Sequence, residues 1–388
     1  MNRGSPGADD YTCTVCFVAR GDFESKPGGD TVQWLMYERV VREAGLRSTT
    51  WFDDSPIPPA DVYHAFNIDR PLELYPKLVE VKRRGRPFIL STIHHPHEWL
   101  RKYYTSQPSA GALGSLLYRS ALGRSVAARE TIREIVTVAR DRRIARLLAL
   151  LPRWRQRVRW LLRNADRIML LTGSEATYIQ TDFAYEIPPH QRVIVPNWSE
   201  GLGDASVGKP DAFADLPEPP VLVVGRIEPR KGSLRISRLA ESARRHVVFV
   251  GLPLNGDGAF VRAFHAAVQR SQYSKWIAGV PRSMLAAFYR HSSFLLNVSF
   301  FEVSPLVDVE ALALGCPVST TMYAMHHQLL PPDTPLCDPY DDRSILDRLQ
   351  WRPGRLAPRQ LVDREMCARR LVDTYLALAH ASDGSGDQ

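Results

Sequence analysis

Two glutamates stand close together near the C-terminal end of the chain, in a mostly apolar stretch of small residues, SFFEVSPLVDVEALALGCPVSTT (residues 299–321). A buried carboxylate is costly unless it is paired or hydrogen-bonded, so both acids need partners there. The sequence around Glu302 and Glu310 offers no cation. Carboxylates in such a setting suit hydroxyl-rich ligands, because each can accept two O–H hydrogen bonds from a ribose or a hexose. The stretch therefore predicts a site for sugar hydroxyls.

The second glutamate belongs to a predicted short helix. Residues 307–314 fit a helix that Gly315 ends and Pro317 stops, while Glu302 falls in the loop before it. A loop carboxylate near a helix N-terminus is favoured by the helix dipole and by the free backbone N–H groups. Asp308 is interpreted as an exposed acid in the first turn, with no role beyond the helix start.

A basic pair follows the apolar run VLVVG (residues 221–225). Arg226 comes directly after the run, and Lys231 and Gly232 lie where the next helix is expected to begin. A guanidinium and an ammonium that converge near a helix N-terminus make an anion site suited to phosphate or diphosphate. For such a pair taken alone, two solvated loop cations are the alternative.

Two further strand ends carry candidate residues. The loop GDFESKPGGD, after the first apolar run, brings Gly28 and Gly29 to a helix start, where the backbone can approach a ligand closely. The run PFILSTI is followed by a histidine-rich segment that begins at His94. Ligands of doubly wound sheets bind outside the carboxyl ends of the strands, so these residues join the basic pair and the glutamates as candidates.

The elements that must position these residues are apolar runs without strict alternation. Strands buried on both faces have this pattern, which is typical of a parallel sheet covered by helices. The runs are CTVCFVA (13–19), PFILSTI (87–93), RIMLL (167–171), RVIV (192–195), VLVVG (221–225), HVVFVG (246–251) and FLLNV (294–298). Helical patterns lie between them, with Asp30 and Ser283 as predicted N-caps of two. The alternation occurs twice, which predicts an α/β fold of two Rossmann-like, doubly wound parallel-sheet domains.

The boundary between these domains is predicted at a stretch rich in Gly, Pro, Asp and Ser. We expect a first domain over 10–198, a linker over 199–219 and a second domain over 220–360. A final helix over 361–380 carries an apolar stripe that must dock on a neighbour. The tail 381–388 is predicted to be disordered.

Composition excludes several classes of protein. A length of 388 residues favours about two domains. No apolar run approaches the ~18–20 residues that span a bilayer, and the N-terminus lacks a signal-peptide pattern, so we expect a cytoplasmic protein. Cys13 and Cys16 form a CxxC without a second pair, and we interpret them as strand cysteines. The loop after the first strand lacks the G-x-G-x-x-G motif that a nicotinamide dehydrogenase would carry there, so we exclude that class of enzyme.

Arginine is concentrated in one segment. Residues 119–163 hold 13 arginines and three acids, so the segment carries +10 of a chain whose net charge is +8. The rest of the chain is slightly acidic, and the basic pI does not indicate a nucleic-acid partner. Trp154 and Trp160 lie among the arginines, a pattern that suits an anionic membrane surface. Arginine-rich helices packed on the first sheet are an equally weighted alternative.

The paired C-terminal motifs resemble those of the retaining glycosyltransferases of family 4. The pattern G-R-x4-K-G is followed about 70 residues later by S-x2-E-x7-E-A and G-x-P-V. The second motif falls on Ser299, Glu302, Leu306, Glu310, Ala311, Ala313, Gly315, Pro317 and Val318. Weaker agreement includes the Gly pair at 28–29, Thr92 with His94, and Pro196 with Asn197. The resemblance implies the GT-B fold, in which two Rossmann-like domains face a cleft.

The resemblance also implies roles for the motif residues. Arg226 and Lys231 would hold the diphosphate of a nucleotide sugar and stabilise the leaving nucleoside diphosphate, as a metal ion does elsewhere. Neither a metal nor a cofactor is therefore expected. Glu310 would accept the ribose hydroxyls, and Glu302 would hold hydroxyls of the transferred sugar. The sugar would pass with retention to a hydroxyl of a saccharide, lipid-linked or small-molecule acceptor.

From the first domain, Gly28 and Gly29 would let the backbone approach the diphosphate. His94 would act in catalysis, either by contacting the sugar from across the cleft or by polarising near its anomeric carbon. The chain departs from the family at one loop, where the usual Gly-Phe-Gly is replaced by Val303, Ser304 and Pro305. Proline has no N–H to donate, so the Ser304 hydroxyl is the predicted replacement for a donor contact.

Two other functions fit the same fold. One is a catalytically impaired carbohydrate- or lipid-binding module, for which the altered loop would be the signal. The other is a nucleotide-sugar epimerase. The presence of both basic residues and both glutamates, at the spacing of the two motifs, favours transfer over either alternative.

Overall fold

The computed structural model describes residues 13–19, 21, 28–52, 55–106, 128, 154–200, 208–253 and 258–383. They form two compact units. The first contains residues 28–97, 154–196 and 365–383 together with the strand that precedes them. The second contains residues 98–106 and the described part of 197–364. Within this part of the chain, no helix combines the length and the apolar character that crossing a bilayer requires.

The first unit is built on a six-stranded sheet in which every pairing is parallel, in the order β2-β1-β3-β4-β5-β6. Its strands are β1 (Thr14–Val18), β2 (Arg47–Trp51), β3 (Val62–Phe66), β4 (Phe88–Ser91), β5 (Arg167–Leu170) and β6 (Arg192–Ile194). Its helices are α1 (Gly29–Glu43), α2 (Pro71–Arg83), α4 (Trp154–Asn164), α5 (Gly173–Phe183) and α11 (Arg364–Asp383), while α3 (His97–Ser106) belongs to the second unit from Glu98 onward.

The second unit has its own six-stranded parallel sheet, in the order β12-β11-β10-β7-β8-β9. Its strands are β7 (Val221–Val224), β8 (Val247–Val250), β9 (Ser274–Ile277), β10 (Phe294–Leu296), β11 (Val318–Thr321) and β12 (Leu336–Cys337). Its helices are α6 (Ser233–Ala243), α7 (Gly258–Arg270), α8 (Leu285–His291), α9 (Leu306–Ala313) and α10 (Asp342–Leu349). The predicted α/β fold of two doubly wound parallel sheets is confirmed.

Each predicted apolar run contains a strand, and the central strands are fully buried. All four residues of β4 and all four of β8 are buried. The runs missed five strands. Three of them, β2, β9 and β12, lie at sheet edges and carry polar or exposed residues, whereas β3 and β11 are interior strands that are mostly buried. An edge strand has one neighbour, so its sequence can be less apolar.

Two predicted N-caps are wrong. Helix α1 begins one residue before Asp30, with Gly28 at the N-cap, and Asp30 accepts a hydrogen bond from the adjacent Thr31 amide. Ser283 lies inside a 3₁₀ turn, Arg282–Met284, that precedes α8. Cys13 and Cys16 are buried free thiols at β1, as the interpretation of strand cysteines expected.

Helix α4 includes the described end of the arginine-rich segment, and its apolar residues pack in the core of the first unit. Trp154 is 2% exposed, and Leu161 and Leu162 are fully buried in the core of the first unit. The guanidinium of Arg157 lies 5.6 Å from the ring centre of Tyr75. For residues 154–163 the packing alternative is therefore correct. The rest of 119–153, apart from residue 128, lies outside the described residues.

The apolar stripe of the final helix packs within the first unit. Leu371, Tyr375, Leu378 and Ala379 are all buried. The Tyr375 hydroxyl lies 2.7 Å from Nδ1 of His64 in β3, and His64 Nε2 lies 2.9 Å from the Ser91 hydroxyl. Burial lowers the pKa of His64 to about 3, so this histidine is a neutral core residue.

Candidate functional site

The residues of the predicted anion site lie together at the carboxyl end of β7. Arg226 follows the strand, Lys231 ends a short 3₁₀ turn, and α6 begins at Ser233. Gly232 makes this turn with φ +68°, and a Cβ there would lie 2.9 Å from the Val298 carbonyl oxygen, so no other residue fits without a shift. One pocket is lined by Val223, Val224, Gly225, Arg226, Ile227, Lys231, Ser233, Leu296, Asn297, Val298 and Ser299.

Ser233 adds a donor that the sequence did not single out. Its side chain is 1% exposed and lines the pocket, and its hydroxyl has no hydrogen-bond partner among the described residues. It stands at the first position of α6, where backbone N–H groups lack partners within the helix. A buried hydroxyl, a helix N-terminus and two cations in one pocket are suited to an anionic oxygen ligand.

Glu302 has cation partners, which contradicts the expectation drawn from its sequence neighbours. Its Oε1 accepts a hydrogen bond from Arg230 Nη1 at 2.9 Å and another from the ammonium of Lys231. Arg230 also donates to Glu228 Oε1 at 2.9 Å. The two cations lie 72 and 71 residues away in sequence, so local reading could not find them.

The cations of this network keep its two carboxylates, Glu228 and Glu302, ionised. Burial alone would raise the pKa of Glu302, but Arg230 and Lys231 outweigh burial and hold that pKa far below its usual range. The pKa of Glu228 is lowered in the same way by Arg230, Arg226 and Lys231. Glu302 is therefore an ionised carboxylate, two of whose acceptor positions are already used by cations.

Glu310 lies in α9 and is 2% exposed. It pairs with the guanidinium of Arg282, and it accepts a hydrogen bond from the Tyr289 hydroxyl at 3.0 Å. Burial raises the pKa of Glu310, and Arg282 opposes that rise. The prediction that Glu310 has no cation as a partner is thus wrong as well. The side chain of Arg282 in this pair is 44% exposed.

Asp308 is fully buried, so its interpretation as an exposed first-turn acid is wrong. Its carboxylate accepts hydrogen bonds from Thr320 Oγ1 at 2.5 Å and from Asn297 Nδ2 at 3.2 Å. His326 Nε2 lies 3.0 Å away, at ion-pair distance but outside hydrogen-bond geometry. Asn297 lines the anion pocket, and its Oδ1 accepts from the backbone and hydroxyl of Ser299. Asp308 therefore anchors a wall of that pocket.

The loop that departs from the family pattern is buried. Val303 is 3% exposed and Ser304 is 8% exposed, and α9 begins directly after Pro305. The Ser304 carbonyl accepts a hydrogen bond from Asn197 Nδ2 at 2.8 Å. The Ser304 hydroxyl is buried, and the described residues give it no partner. It is thus available to replace the missing proline N–H as a donor.

His94 does not fit its predicted contact with the sugar. Its side chain is fully buried, with Nδ1 2.8 Å from Asp69 Oδ1 and Nε2 2.8 Å from Asp182 Oδ2. Burial lowers the pKa of a histidine, but the two carboxylates outweigh burial and raise the pKa of His94 to about 9. With both nitrogens engaged, His94 is a buried cation that holds two acids of the first unit together.

His94, His97 and Asp182 also have ligand atoms that lie within 4.8 Å of one another, a spacing that could hold a metal ion. Two of these three residues are already linked to each other, because the imidazolium of His94 donates a hydrogen bond to the Asp182 carboxylate. Burial lowers the pKa of His97 to about 4, so His97 is neutral beside that pair. The cluster is therefore explained as an ion-paired network.

Weakening of the first unit at alkaline pH is expected from this network. The folded pKa of His94 is about 9, above the ~6.5 of an unfolded histidine. Its stabilisation is therefore complete below about pH 6.5 and is lost as the pH rises through about 9, an effect of the order of 3 kcal/mol. Thermal unfolding midpoints across this range measure it. The variant His94→Gln should unfold earlier but with a flatter pH dependence, and equal slopes in the two proteins would contradict the assignment.

The glycine pair lies at the start of α1. Gly28 is the N-cap, and its amide donates to the Thr31 hydroxyl at 3.1 Å. A Cβ placed on Gly29 would meet nothing within 4 Å, so the space beside this helix start is open. Residues 22–27 of the same loop lie outside the described residues.

Comparisons with known proteins agree with this architecture. No protein-family model matches the chain. The D-inositol 3-phosphate glycosyltransferase of Segniliparus rotundus is 29% identical over 170 residues, which cover 41% of this chain and 37% of that protein. The match thus spans little more than a third of that relative's length.

Two solved structures resemble the whole chain. Sucrose-phosphate synthase of Thermosynechococcus elongatus has a TM-score of 0.61 at 16% identity, covering 96% of this chain and 97% of that one. HepE of Anabaena, in complex with UDP and glucose, has a TM-score of 0.55 at 13% identity, with 95% of each chain covered. The two six-stranded parallel α/β units of this protein match the units of GT-B glycosyltransferases.

Proposed function

We propose that this protein is a glycosyltransferase that moves a sugar from a nucleoside-diphosphate sugar to an acceptor hydroxyl. The observation that carries the proposal is the pocket at the end of β7, where Arg226, Lys231 and the unpartnered Ser233 hydroxyl meet at the start of α6. The ionised Glu302 touches Lys231, so groups for a diphosphate and for sugar hydroxyls adjoin. The UDP complex of the structural neighbour HepE supports this ligand class.

In the proposed reaction, the acceptor oxygen bonds to the anomeric carbon while the bond from that carbon to the diphosphate oxygen breaks. The leaving diphosphate takes the electron pair and then the acceptor proton, on the same face of the sugar. Arg226 and Lys231 stabilise the charge that develops on the leaving group, which gives the two cations the role of a metal ion. Retention of configuration and independence from metal follow from this scheme.

The remaining roles follow from chemistry and position. Glu310 accepts the ribose hydroxyls, with Arg282 beside it as a counter-charge. Glu302 binds hydroxyls of the transferred sugar, and Ser304 supplies a donor at the altered loop. The open space beside Gly29 admits a ligand at the start of α1. We keep a saccharide or lipid-linked acceptor, and membership of retaining family 4, as parts of the proposal.

Incubation of the chain with a panel of nucleotide sugars, with and without EDTA, tests the proposal. We expect release of nucleoside diphosphate that requires one particular nucleotide sugar and an acceptor. EDTA should not reduce this release. The double variant Arg226→Ala and Lys231→Ala is the matched blank. Tight binding of a nucleoside diphosphate without any turnover would instead indicate a binding module of the same fold. Interconversion of free nucleotide sugars would indicate an epimerase.

A further inference from the structure

Arg230 joins two loops of the second unit. It lies in the 3₁₀ turn after β7, and its carbonyl accepts a hydrogen bond from the Phe300 amide at 2.9 Å. Its Nη1 donates to the Phe301 carbonyl at 2.9 Å, and its guanidinium carbon lies 5.3 Å from the centre of the Phe301 ring. Main chain and side chain therefore both connect the loop of Lys231 with the loop of Glu302.

The same guanidinium also spans two carboxylates. Its Nη2 donates to Glu228 Oε1 and its Nη1 to Glu302 Oε1, each at 2.9 Å. The Glu302 oxygen that Arg230 binds is the one that the Lys231 ammonium also binds. Arg230 is 20% exposed and is not among the residues that line the anion pocket, whereas Arg226 and Lys231 are.

We propose that Arg230 is a positioning residue for glycosyl transfer, one that fixes Glu302 and shares its charge, so that the Lys231 ammonium stays directed at the diphosphate. The inference rests on the proposed function and extends it to a residue outside the pocket. Without Arg230, Lys231 would be the remaining cation hydrogen-bonded to Glu302 in the described structure. The carboxylate would then draw the ammonium toward itself and away from the leaving group.

The variant Arg230→Met keeps the length of the side chain and removes its charge and hydrogen bonds. We expect kcat to fall about 10- to 100-fold, as misplaced catalytic groups do, while the Kd for nucleoside diphosphate changes less than about 3-fold. The acid limb of the kcat profile should move to higher pH, because Glu302 would lose one of its two cation partners and Glu228 would keep only the longer pair with Arg226. Arg230→Lys should restore part of both effects.

Arg238→Met is the matched control, since this arginine is exposed on α6 of the same unit. It should leave kcat, Kd and the pH profile unchanged. A wild-type pH profile and kcat in Arg230→Met would overturn the positioning role. Parallel losses of kcat, of affinity for nucleoside diphosphate and of thermal stability would also overturn it. Turnover by the wild-type chain is measured first, because its absence overturns the proposed function itself.

Discussion

Replacing Lys231 by alanine is expected to lower kcat about 100- to 1,000-fold, the cost of removing one preorganised donor aimed at developing charge. The Lys231 ammonium lines the anion pocket together with Arg226, and Glu302 holds it there. Charge on the leaving diphosphate grows in the transition state, so the loss should fall on kcat more than on substrate binding. Initial rates of nucleoside diphosphate release at saturating nucleotide sugar measure the effect.

The fold should survive this change, because Lys231 lies outside the apolar core of the second unit and Arg230 would still pair with Glu302. Arg238→Met again serves as the control, with rates and thermal unfolding like those of the wild type. Arg226→Ala is expected to act in the same direction. Near-normal kcat in both Lys231→Ala and Arg226→Ala would contradict the assignment of the pocket.

Replacing Asp308 by alanine is expected to destabilise the second unit by about 2–6 kcal/mol, because each of two buried donors left without a partner costs about 1–3 kcal/mol. The donors are the Asn297 amide and the Thr320 hydroxyl, and His326 loses the carboxylate that lies 3.0 Å from its Nε2. Unpaired buried donors add to the cost of the lost volume. Hydrogen exchange at the amides of β10 and β11 reports the stability of this unit without requiring the whole chain to unfold in one step.

Asp342→Ala is the matched control, because Asp342 is a 59% exposed acid in the first turn of α10. An exposed acid of that kind contributes only about 0.3–1 kcal/mol. Asp308→Asn keeps the volume and one acceptor, so its effect should be intermediate. A loss in Asp308→Ala as small as that in Asp342→Ala would show that the buried network does not stabilise the unit.

The sequence was sufficient for features that depend on neighbouring residues. Apolar runs such as those of β4 and β8 predict buried parallel strands, since a strand covered on both faces has no solvent side to mark with polar residues. Gly315 was predicted to end α9, and in the structure it has φ +69° with a Cβ position 2.5 Å from the Leu356 carbonyl oxygen. The positive φ is a local requirement that the sequence marks with glycine, whereas the close approach of Leu356 is a tertiary contact.

The sequence could not supply the partners of the buried acids. Glu302, Glu310 and Asp308 find theirs at Arg230, Arg282 and Thr320, which other strand ends and turns bring near. Burial of His94 between two carboxylates was hidden for the same reason, since Asp69 and Asp182 lie 25 and 88 residues away. A motif shows that an acid or a histidine is present, but not which charge it meets.

The arginine-rich segment shows the same division. Its alternation of tryptophan and arginine fits a membrane surface or a packed helix equally, because both need one apolar face. Only the packing of α4 against the first unit decides between them for residues 154–163, where Trp154 is buried. The sequence alone thus determined two parallel-sheet units and the strand ends that carry the residues of the proposed phosphate-type site. The tertiary structure decided which charges are paired and which side chains are exposed, because pairing and burial depend on contacts between residues far apart in the chain.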